Sequence, residues 1–275
     1  MNYGRCQSDA NVKISLADLH YFEEPCISGK NGSGAIFFTG CNMNCQFCQN
    51  YEISQLCQGM ILTIEELAEK FLNLQQRGAH NINLVTGCIY VPQIIESLQL
   101  AKKKGLNIPI VYNSSGYEKK ETLEMLEGFV DVYLPDLKYY YDDLAQDLSS
   151  VKYYFEIATN AIKEMYKQVG SLKLDENGIV QKGLIIRHLV LPNHLQNTKQ
   201  VLKWIRKNIS AKVYVSVMAQ YFPEYKALNR TDINRKLTKE EYDEIQDFIE
   251  KLGMRNGYFQ SLEENEKKYV PQWYT

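Results

Sequence analysis

Short apolar runs alternate with amphipathic segments from residue 35 to about residue 250. Six of the runs are rich in β-branched residues and predict strands: AIFF, INLVT, PIVYNSS, VDVYLP, GLIIRHLVL and VYVSVM. Between them, apolar residues recur every three to four positions, which is the period of an α-helix. Six strand-then-helix units in succession predict a parallel sheet with right-handed crossovers, curved into a full or partial barrel.

Three of the predicted helices carry start or stop signals. TIEELAEKFLNL begins with Thr63 and Glu66 at capping-box spacing, and TKEEYDEIQDFIEKLG repeats the pattern with Thr238 and Glu241 before Gly253. VPQIIESLQLAKKKG ends in a lysine run and a glycine. Because the loops that follow the strands of such a barrel gather at one face, we expect the chemistry at the carboxyl ends of the strands.

Charge and composition exclude some classes of partner. The 275 residues carry 31 basic and 33 acidic side chains and a formal charge of -2, without the clustered basic face that nucleic acid requires. The stretch MNYGRCQSDANVK lacks the apolar core of a signal peptide, and no run approaches the roughly 20 apolar residues of a membrane span. We therefore expect a cytoplasmic protein with no nucleic-acid or membrane partner.

Cysteine is confined to residues 6 to 88, where there are seven. Three of them, Cys41, Cys45 and Cys48, follow the first predicted strand in the stretch FFTGCNMNCQFCQN. An odd count in a reducing cytosol favours metal or radical chemistry over disulfides. Structural zinc takes four ligands, so three thiols on one loop suit a metal centre with an open position. The alternative is a zinc site completed by a remote ligand such as Cys57 or Cys88.

The cysteine loop, with Phe47 before its last cysteine, resembles the cluster loop of the radical S-adenosylmethionine (SAM) enzymes. The stretches HYFEEPCISGKNGSGAIFFTGCNMNCQFCQNYEIS, VPQIIESL, PIVYNSSGYE, DVYLPDLKYY and GLIIRHLVLPN resemble, in order, a family related to the pyruvate formate-lyase activating enzymes. The resemblance implies an α/β fold, a partial (β/α)6 TIM-like barrel of the radical SAM type. We expect the core barrel at 34–225, an N-terminal extension at 1–33 and a helical C-terminal extension at 226–275.

The same resemblance implies the cofactors. Cys41, Cys45 and Cys48 would hold three irons of a [4Fe-4S] cluster, and the amino and carboxylate groups of SAM would chelate the fourth. One electron passed into the sulfonium then releases a 5'-deoxyadenosyl radical. A one-electron reductant such as flavodoxin or ferredoxin is the expected partner, and a protein is a candidate substrate.

Further cofactor contacts are implied near the other strand ends. The candidates, beside Phe47 of the cysteine loop, are Thr86, Gly87, Asn113, Ser114, Ser115, Asp136, Lys138, Arg187 and Gln220. The resemblance implies that Asp136 and Lys138 bind the SAM carboxylate together with a monovalent cation, which the Asn-Ser-Ser cluster helps to hold. Thr86 and Gly87 match positions that meet the amino group, Arg187 an arginine near the ribose and carboxylate, and Gln220 a candidate contact for adenine.

Two departures from the family pattern bear on function. Only Cys6 remains of an extra N-terminal cysteine motif, and Thr86-Gly87-Cys88-Ile89 stands where the family commonly reads T-P-T-H. Cys88 is therefore a candidate hydrogen donor to a substrate radical. The alternative is a small buried residue without a chemical role, because free cysteines are often buried.

Four further residues and two aromatic stretches each allow a functional and a structural interpretation. Side chains alternate along a strand, so if Arg187 faces the barrel interior then His188 faces the helices as a packing residue. His20, Glu23 and Glu24 could cover the site, or form an ordinary solvated loop. The tyrosine-rich stretches at 139–141 and 153–155 could line a substrate cleft, or pack helices.

Three functions fit these features. The first is an activating enzyme that abstracts hydrogen from a partner protein. The second is a radical enzyme acting on a peptide or small metabolite, with Cys88 as hydrogen donor. The third is a non-catalytic iron-sulfur or zinc protein. A cluster that changes when SAM is added would separate the third function from the first two.

Overall fold

The computed structural model describes residues 6, 8, 10–210, 212–260, 262 and 273. The strands are β1 (Val12–His20), β2 (Ser33–Phe38), β3 (Met60–Leu62), β4 (Ile82–Val85), β5 (Ile110–Ser114), β6 (Val132–Pro135), β7 (Lys173–Leu174), β8 (Val180–Leu189), β9 (Tyr214–Met218) and β10 (Gly257–Phe259). The helices are α1 (Pro25–Ser28), α2 (Tyr51–Ser54), α3 (Ile64–Gln76), α4 (Val91–Lys103), α5 (Lys120–Met125), α6 (Asp142–Ser149), α7 (Tyr154–Val169), α8 (Leu195–Asn208) and α9 (Lys239–Leu252). Single 3₁₀ turns occupy Gly87–Ile89 and Tyr225–Asn229.

The six predicted strands form the parallel body of one sheet. They are β2, β4, β5, β6, β8 and β9, side by side in chain order. At one edge β1 pairs antiparallel with β2 and with β3, and at the other β10 pairs parallel with β9. Within the described residues the sheet runs as an open path from β10 to β3. The predicted α/β fold with a partial barrel is confirmed.

Burial follows from this architecture. Every residue of β2, β4, β5 and β6 is buried, as expected for parallel strands whose two faces are both covered. Helix α3 lays Leu67 and Phe71 into the core and packs against α4. Both predicted capping boxes form, at Thr63 with Glu66 before α3 and in the same way at the start of α9.

The strand register brings polar strand ends together. Ser114 of β5 lies opposite Pro135 of β6, and the next residue, Asp136, bridges to Arg187 of β8. Asn113 therefore lies one strand away from Asp136, which lies one strand away from Arg187. Three candidate side chains come to one edge of the sheet from strands far apart in sequence.

Strands also lie in the terminal parts of the chain. The segment 1–33 contributes β1, and the segment 226–275 contributes β10 as well as α9, with part of each segment outside the described residues. The division into a core and two extensions stays a prediction. None of the helices in the described residues is long and apolar enough to cross a membrane.

Candidate active site

A cavity of about 230 Å³, here called the strand-end cavity, opens at the carboxyl edge of the sheet. It collects predicted site residues from the cysteine loop and from four strands. The predicted residues that line it are Cys45, Phe47, Cys48, Asn113, Asp136, Lys138, Arg187 and Gln220. His20 and Glu23, for which the sequence left two readings, line it as well.

The cysteine loop leaves β2 through a tight turn. Gly40 has φ +81°, and a Cβ there would lie 2.6 Å from Ser8 Oγ and 2.7 Å from the Cys6 carbonyl oxygen, so glycine is required. Further along, the backbone N–H groups of Asn44 and Gln46 donate to carbonyl groups near the end of α6, at 3.0 and 2.8 Å. The loop is thus fixed at both ends.

Hydrogen bonds hold the three thiols of this loop. Ser149 Oγ donates to Cys45 Sγ at 3.0 Å, Ser54 Oγ lies 3.2 Å from Cys48 Sγ, and a backbone N–H donates to Cys41 Sγ at 3.4 Å. Burial, reinforced by the neighbouring thiols, raises the pKa of Cys41 to about 12 and of Cys48 to about 11. These thiols keep their protons at neutral pH until a metal takes them as thiolates.

The donor set fits an iron-sulfur cluster better than a single ion. In the described residues no three His, Cys, Asp or Glu side chains are grouped closely enough to hold a single metal ion. A cluster offers each thiolate an iron of its own, which suits three half-buried thiols on one loop, of which Cys45 and Cys48 line the cavity. Serine donors to the sulfurs are also the kind of contact that tunes a cluster.

A charged network lines the same cavity as Cys45 and Cys48. Arg187 donates from Nε to Asp136 Oδ1 at 3.1 Å, from Nη1 to Glu23 Oε2 at 3.2 Å and from Nη2 to Asn113 Oδ1 at 2.6 Å. Lys138 Nζ donates to Asp136 Oδ2 at 2.5 Å. Both carboxylate oxygens of Asp136 therefore accept from a cation.

Pairing in this network outweighs burial. Burial acts to raise the pKa of Asp136, but Lys138 and Arg187 hold it below its usual value. Burial likewise acts to lower the pKa of Lys138 and of Arg187, yet the carboxylates keep both raised. All three groups stay charged at neutral pH, and the cavity is strongly polar on this side.

Two buried side chains fix the backbone beneath the network. The Tyr154 hydroxyl lies 2.9 Å from the Ser115 carbonyl oxygen and 3.1 Å from that of Asp136, and the Lys138 N–H donates to it at 2.9 Å. His188 is fully buried, with Nδ1 2.6 Å from the Leu137 carbonyl oxygen. His188 is therefore a packing residue, as strand alternation predicts.

Other predicted residues lie away from the cavity. Ser114 turns to the opposite side of β5, where its hydroxyl contacts the Glu118 carboxylate. Thr86 has φ +61° and donates its N–H to the Asn113 carbonyl oxygen at 3.0 Å, so its contribution at the site is through the backbone. Gly87 opens the 3₁₀ turn that follows.

Cys88 lies in that same 3₁₀ turn and lines a different cavity. This cavity of about 250 Å³ also touches Tyr117 and Glu118 and is separate from the strand-end cavity. Burial, with Glu118 nearby, raises the pKa of the Cys88 thiol. Its role as a hydrogen donor stays a prediction.

Glu23 is a site residue for which the sequence carries only a weak signal. Glu23 accepts from Asn83 Nδ2 at 3.0 Å as well as from Arg187. Because β1 runs antiparallel to β2, the segment after β1 begins at the opposite edge of the sheet, beside the start of β2. Glu23 reaches back from that edge, and only the pair of adjacent acidic residues in HYFEEP hinted at it.

Residues 35–173 match the model of the Radical SAM superfamily, which is about half of the chain. The chain belongs to the radical SAM superfamily. Superfamily members use SAM and a [4Fe-4S] cluster, in agreement with the three thiols of the loop after β2. Members are generally enzymes.

Two curated relatives are similar in sequence to this radical SAM protein. An uncharacterized protein of Methanocaldococcus jannaschii is 37% identical over 230 residues, which is 81% of this chain and 63% of the relative. The pyruvate formate-lyase-activating enzyme of Clostridium pasteurianum is 30% identical over 122 residues, 42% of this chain and 50% of the enzyme. The chain thus spans half to three-fifths of these relatives.

Solved radical SAM structures share the fold at low identity. Streptococcus suis SuiB bound to its precursor peptide SuiA has a TM-score of 0.53 at 14% identity, covering 81% of this chain and 47% of SuiB. The structure of anSMEcpe with bound AdoMet (SAM) also reaches 0.53 at 14% identity, over 80% of this chain and 61% of that one. HydG, a maturase of the [FeFe]-hydrogenase, has a TM-score of 0.53 at 13% identity, covering 80% of this chain and 49% of HydG.

Proposed function

We propose that the chain reductively cleaves SAM at a [4Fe-4S] cluster and abstracts hydrogen from a substrate. The observation that carries the proposal is a single cavity lined by Cys45 and Cys48 of the cysteine loop together with Asp136, Lys138 and Arg187. Bound together, the cluster and SAM supply a 5'-deoxyadenosyl radical.

The side chains would divide the binding between them. Cys41, Cys45 and Cys48 hold the cluster as thiolates. Lys138 and Arg187 present positive charge for the SAM carboxylate, a compact ammonium and a planar guanidinium. Phe47, Asn113 and Gln220 complete the wall, Gln220 facing the adenine. Thr86, Gly87, Ser114 and Ser115 act through the backbone.

A monovalent cation is a further part of the proposal. It would bind the oxygens of Asp136, both of which already accept hydrogen bonds from Lys138 and Arg187. Lys138 would therefore have to move away from Asp136 and onto the SAM carboxylate when the cation enters.

The activating-enzyme-like role has a protein as its first candidate substrate. The similarity to the pyruvate formate-lyase-activating enzyme supports it over 122 residues. A peptide or small metabolite is the second candidate, favoured by an adjoining cavity of about 460 Å³, which is a volume typical of small-molecule sites. For either substrate the electron would come from a one-electron carrier such as flavodoxin or ferredoxin.

Anaerobic reconstitution with iron and sulfide tests the proposal. Reduction with dithionite in the presence of SAM should yield 5'-deoxyadenosine, measured by chromatography. Cys45→Ala should lose the cluster absorption and the product. The matched control is Cys57→Ala, because Cys57 lies outside the strand-end cavity and contacts the Cys6 carbonyl oxygen instead; it should keep both.

Two results would contradict the proposal. A reconstituted cluster that yields no 5'-deoxyadenosine on reduction with SAM would rule out cleavage. A Cys57→Ala variant without a cluster would show that the three-thiol assignment is wrong. A glycyl-type radical on a partner protein, seen by electron paramagnetic resonance, would specifically support the activating-enzyme-like role.

A further inference from the structure

A second cavity, here called the Glu24 cavity, lies beside the strand-end cavity and has a volume of about 460 Å³. Its walls come from the segment after β1 and from the β9–β10 edge of the sheet, and include Glu24, Tyr258 and Gln260. Arg187 and Gln220 line both cavities. A molecule in the Glu24 cavity would therefore lie directly against the proposed SAM site.

Two buried acceptor oxygens in this cavity have no hydrogen-bond partner. Glu24 is only 8% exposed, and its Oε2 atom is unpartnered within the described residues. Gln260 donates from Nε2 to Gln220 Oε1 at 3.2 Å, which leaves its own Oε1 buried without a donor. An unsatisfied buried acceptor is costly, so both oxygens point to a ligand that brings donors.

The charges around the cavity indicate the sign of the charge on that ligand. Two carboxylates, Glu23 and Glu24, and one cation, Arg187, line it. Arg187 divides its hydrogen bonds among Asp136, Glu23 and an asparagine. Glu24 is the carboxylate left without a bonded cation.

Burial raises the pKa of Glu24, although Arg187 and the Ser216 hydroxyl partly offset the effect. A ligand cation in contact with Oε2 would stabilise the ionised form.

We propose that the Glu24 cavity binds the substrate and recognises an ammonium or guanidinium group on it. This inference rests on the proposed function, because it takes the neighbouring cavity as the SAM site. Phe22 and Tyr258 add aromatic faces to the walls, and such faces attract cations. The cation belongs either to a small free amine or to a lysine or arginine side chain of a peptide.

Binding of n-butylammonium chloride to the full-length reconstituted protein, without reductant, tests the inference. Butan-1-ol is the neutral probe of the same length, and acetyl-Gly-Lys-Gly-amide against acetyl-Gly-norleucine-Gly-amide repeats the comparison in a peptide. Calorimetry should show saturable binding of the cationic member of a pair and at least tenfold weaker binding of its neutral counterpart. Whichever pair binds more tightly identifies the source of the cation.

Two variants assign that binding to the cavity. Glu24→Gln keeps the shape and removes the charge, and should weaken butylammonium binding at least tenfold. Gln260→Leu removes the second acceptor and should weaken it severalfold. Glu176→Gln removes an exposed carboxylate that does not line this cavity, in the turn between β7 and β8, and should change nothing. Near-ultraviolet circular dichroism confirms that each variant is folded.

Three outcomes would overturn the inference. Butanol could bind as well as butylammonium, or Glu24→Gln could bind butylammonium unchanged. Alternatively, Glu24→Gln could weaken SAM as much as butylammonium, which would assign Glu24 to the cofactor. Failure of the proposed function is observed separately, as a lack of 5'-deoxyadenosine on reduction, because the binding experiments involve no radical chemistry.

Discussion

At the scale of single residues, Asp136 is the carboxylate on which two nearly buried cations converge. Removing one partner of a buried pair leaves an uncompensated charge and costs about 3 to 5 kcal/mol of stability. Asp136→Asn should therefore lower stability as well as SAM affinity. Its effect on binding alone cannot be separated from its effect on folding.

Lys138→Gln is the cleaner test of carboxylate binding. Asp136 keeps Arg187 as a partner in this variant, so the fold should be retained. SAM affinity should fall by about 1.5 to 3 kcal/mol, roughly ten- to a hundredfold, because a charged hydrogen bond is lost. Calorimetric titration with SAM measures the affinity. Urea unfolding of the cofactor-free protein measures the stability. Unchanged SAM affinity would move the carboxylate site elsewhere.

The proposed role of Cys88 as a hydrogen donor can be tested separately. It lines a cavity separate from the strand-end cavity, so a hydrogen donor there would need substrate or backbone movement to reach a radical. If it is a donor, a thiol reagent should label it in cofactor-free protein, SAM should protect it, and Cys88→Ser should cleave SAM but stall or alter the product. Resistance to labelling, with normal turnover by Cys88→Ser, would show that it is a packing residue.

At the scale of elements, the turn after β5 is pressed against the end of β6. Gly116 has φ +75°, and a Cβ there would lie 2.4 Å from the Asp136 carbonyl oxygen. Gly116→Ala should therefore displace the peptide that carries Asp136 and lower both stability and SAM affinity. The expected loss of stability exceeds the about 1 to 2 kcal/mol that a left-handed alanine costs by itself.

Gly178→Ala is the matched control for that prediction. Gly178 has nearly the same φ, +77°, but a Cβ there would meet no atom within 4 Å. It should show the backbone cost alone and keep SAM affinity. Equal losses in the two variants, measured by urea unfolding, would show that contact with Asp136 is unimportant.

The elements that the sequence predicted best are those with the strongest local pattern. The six parallel strands are continuous apolar runs buried on both faces, and they were predicted at nearly their observed positions. β1 was missed, because VKISLADLH mixes polar residues into an edge region that pairs antiparallel on both sides. β10 is three residues long, too short for any period to be visible.

At the scale of the whole molecule, the site was predictable only in part. The cysteine spacing and the Asp136, Lys138 and Arg187 positions come from local motifs at strand ends, which a parallel sheet necessarily brings to one edge. Glu24 and Gln260 could not be paired from sequence, because an N-terminal segment and the last strand meet only through the order of the sheet. Contacts of that range depend on topology, which local patterns do not carry.

One buried histidine links three parts of that topology. His188, on β8, has Nδ1 against the Leu137 carbonyl oxygen after β6 and Nε2 2.9 Å from Thr198 Oγ1 on α8. As a neutral ring it donates to the carbonyl and accepts from the hydroxyl. Burial lowers its pKa to about 4, well below the usual value near 6.5.

That shift predicts how the stability of the whole molecule responds to acid. Between the two pKa values the unfolded chain binds the proton and the folded chain does not, so the contribution of His188 is complete above about pH 6.5 and is lost as the pH falls toward 4. From pH 7 to pH 5 the loss is about 2 kcal/mol at 1.36 kcal/mol per pKa unit. Urea unfolding at the two pH values measures it, with His188→Asn as the reference. Other groups titrate equally in both proteins, so the variant should lose about 2 kcal/mol less than the native chain over this interval, and an equal loss would show that the fold does not lower the pKa of His188.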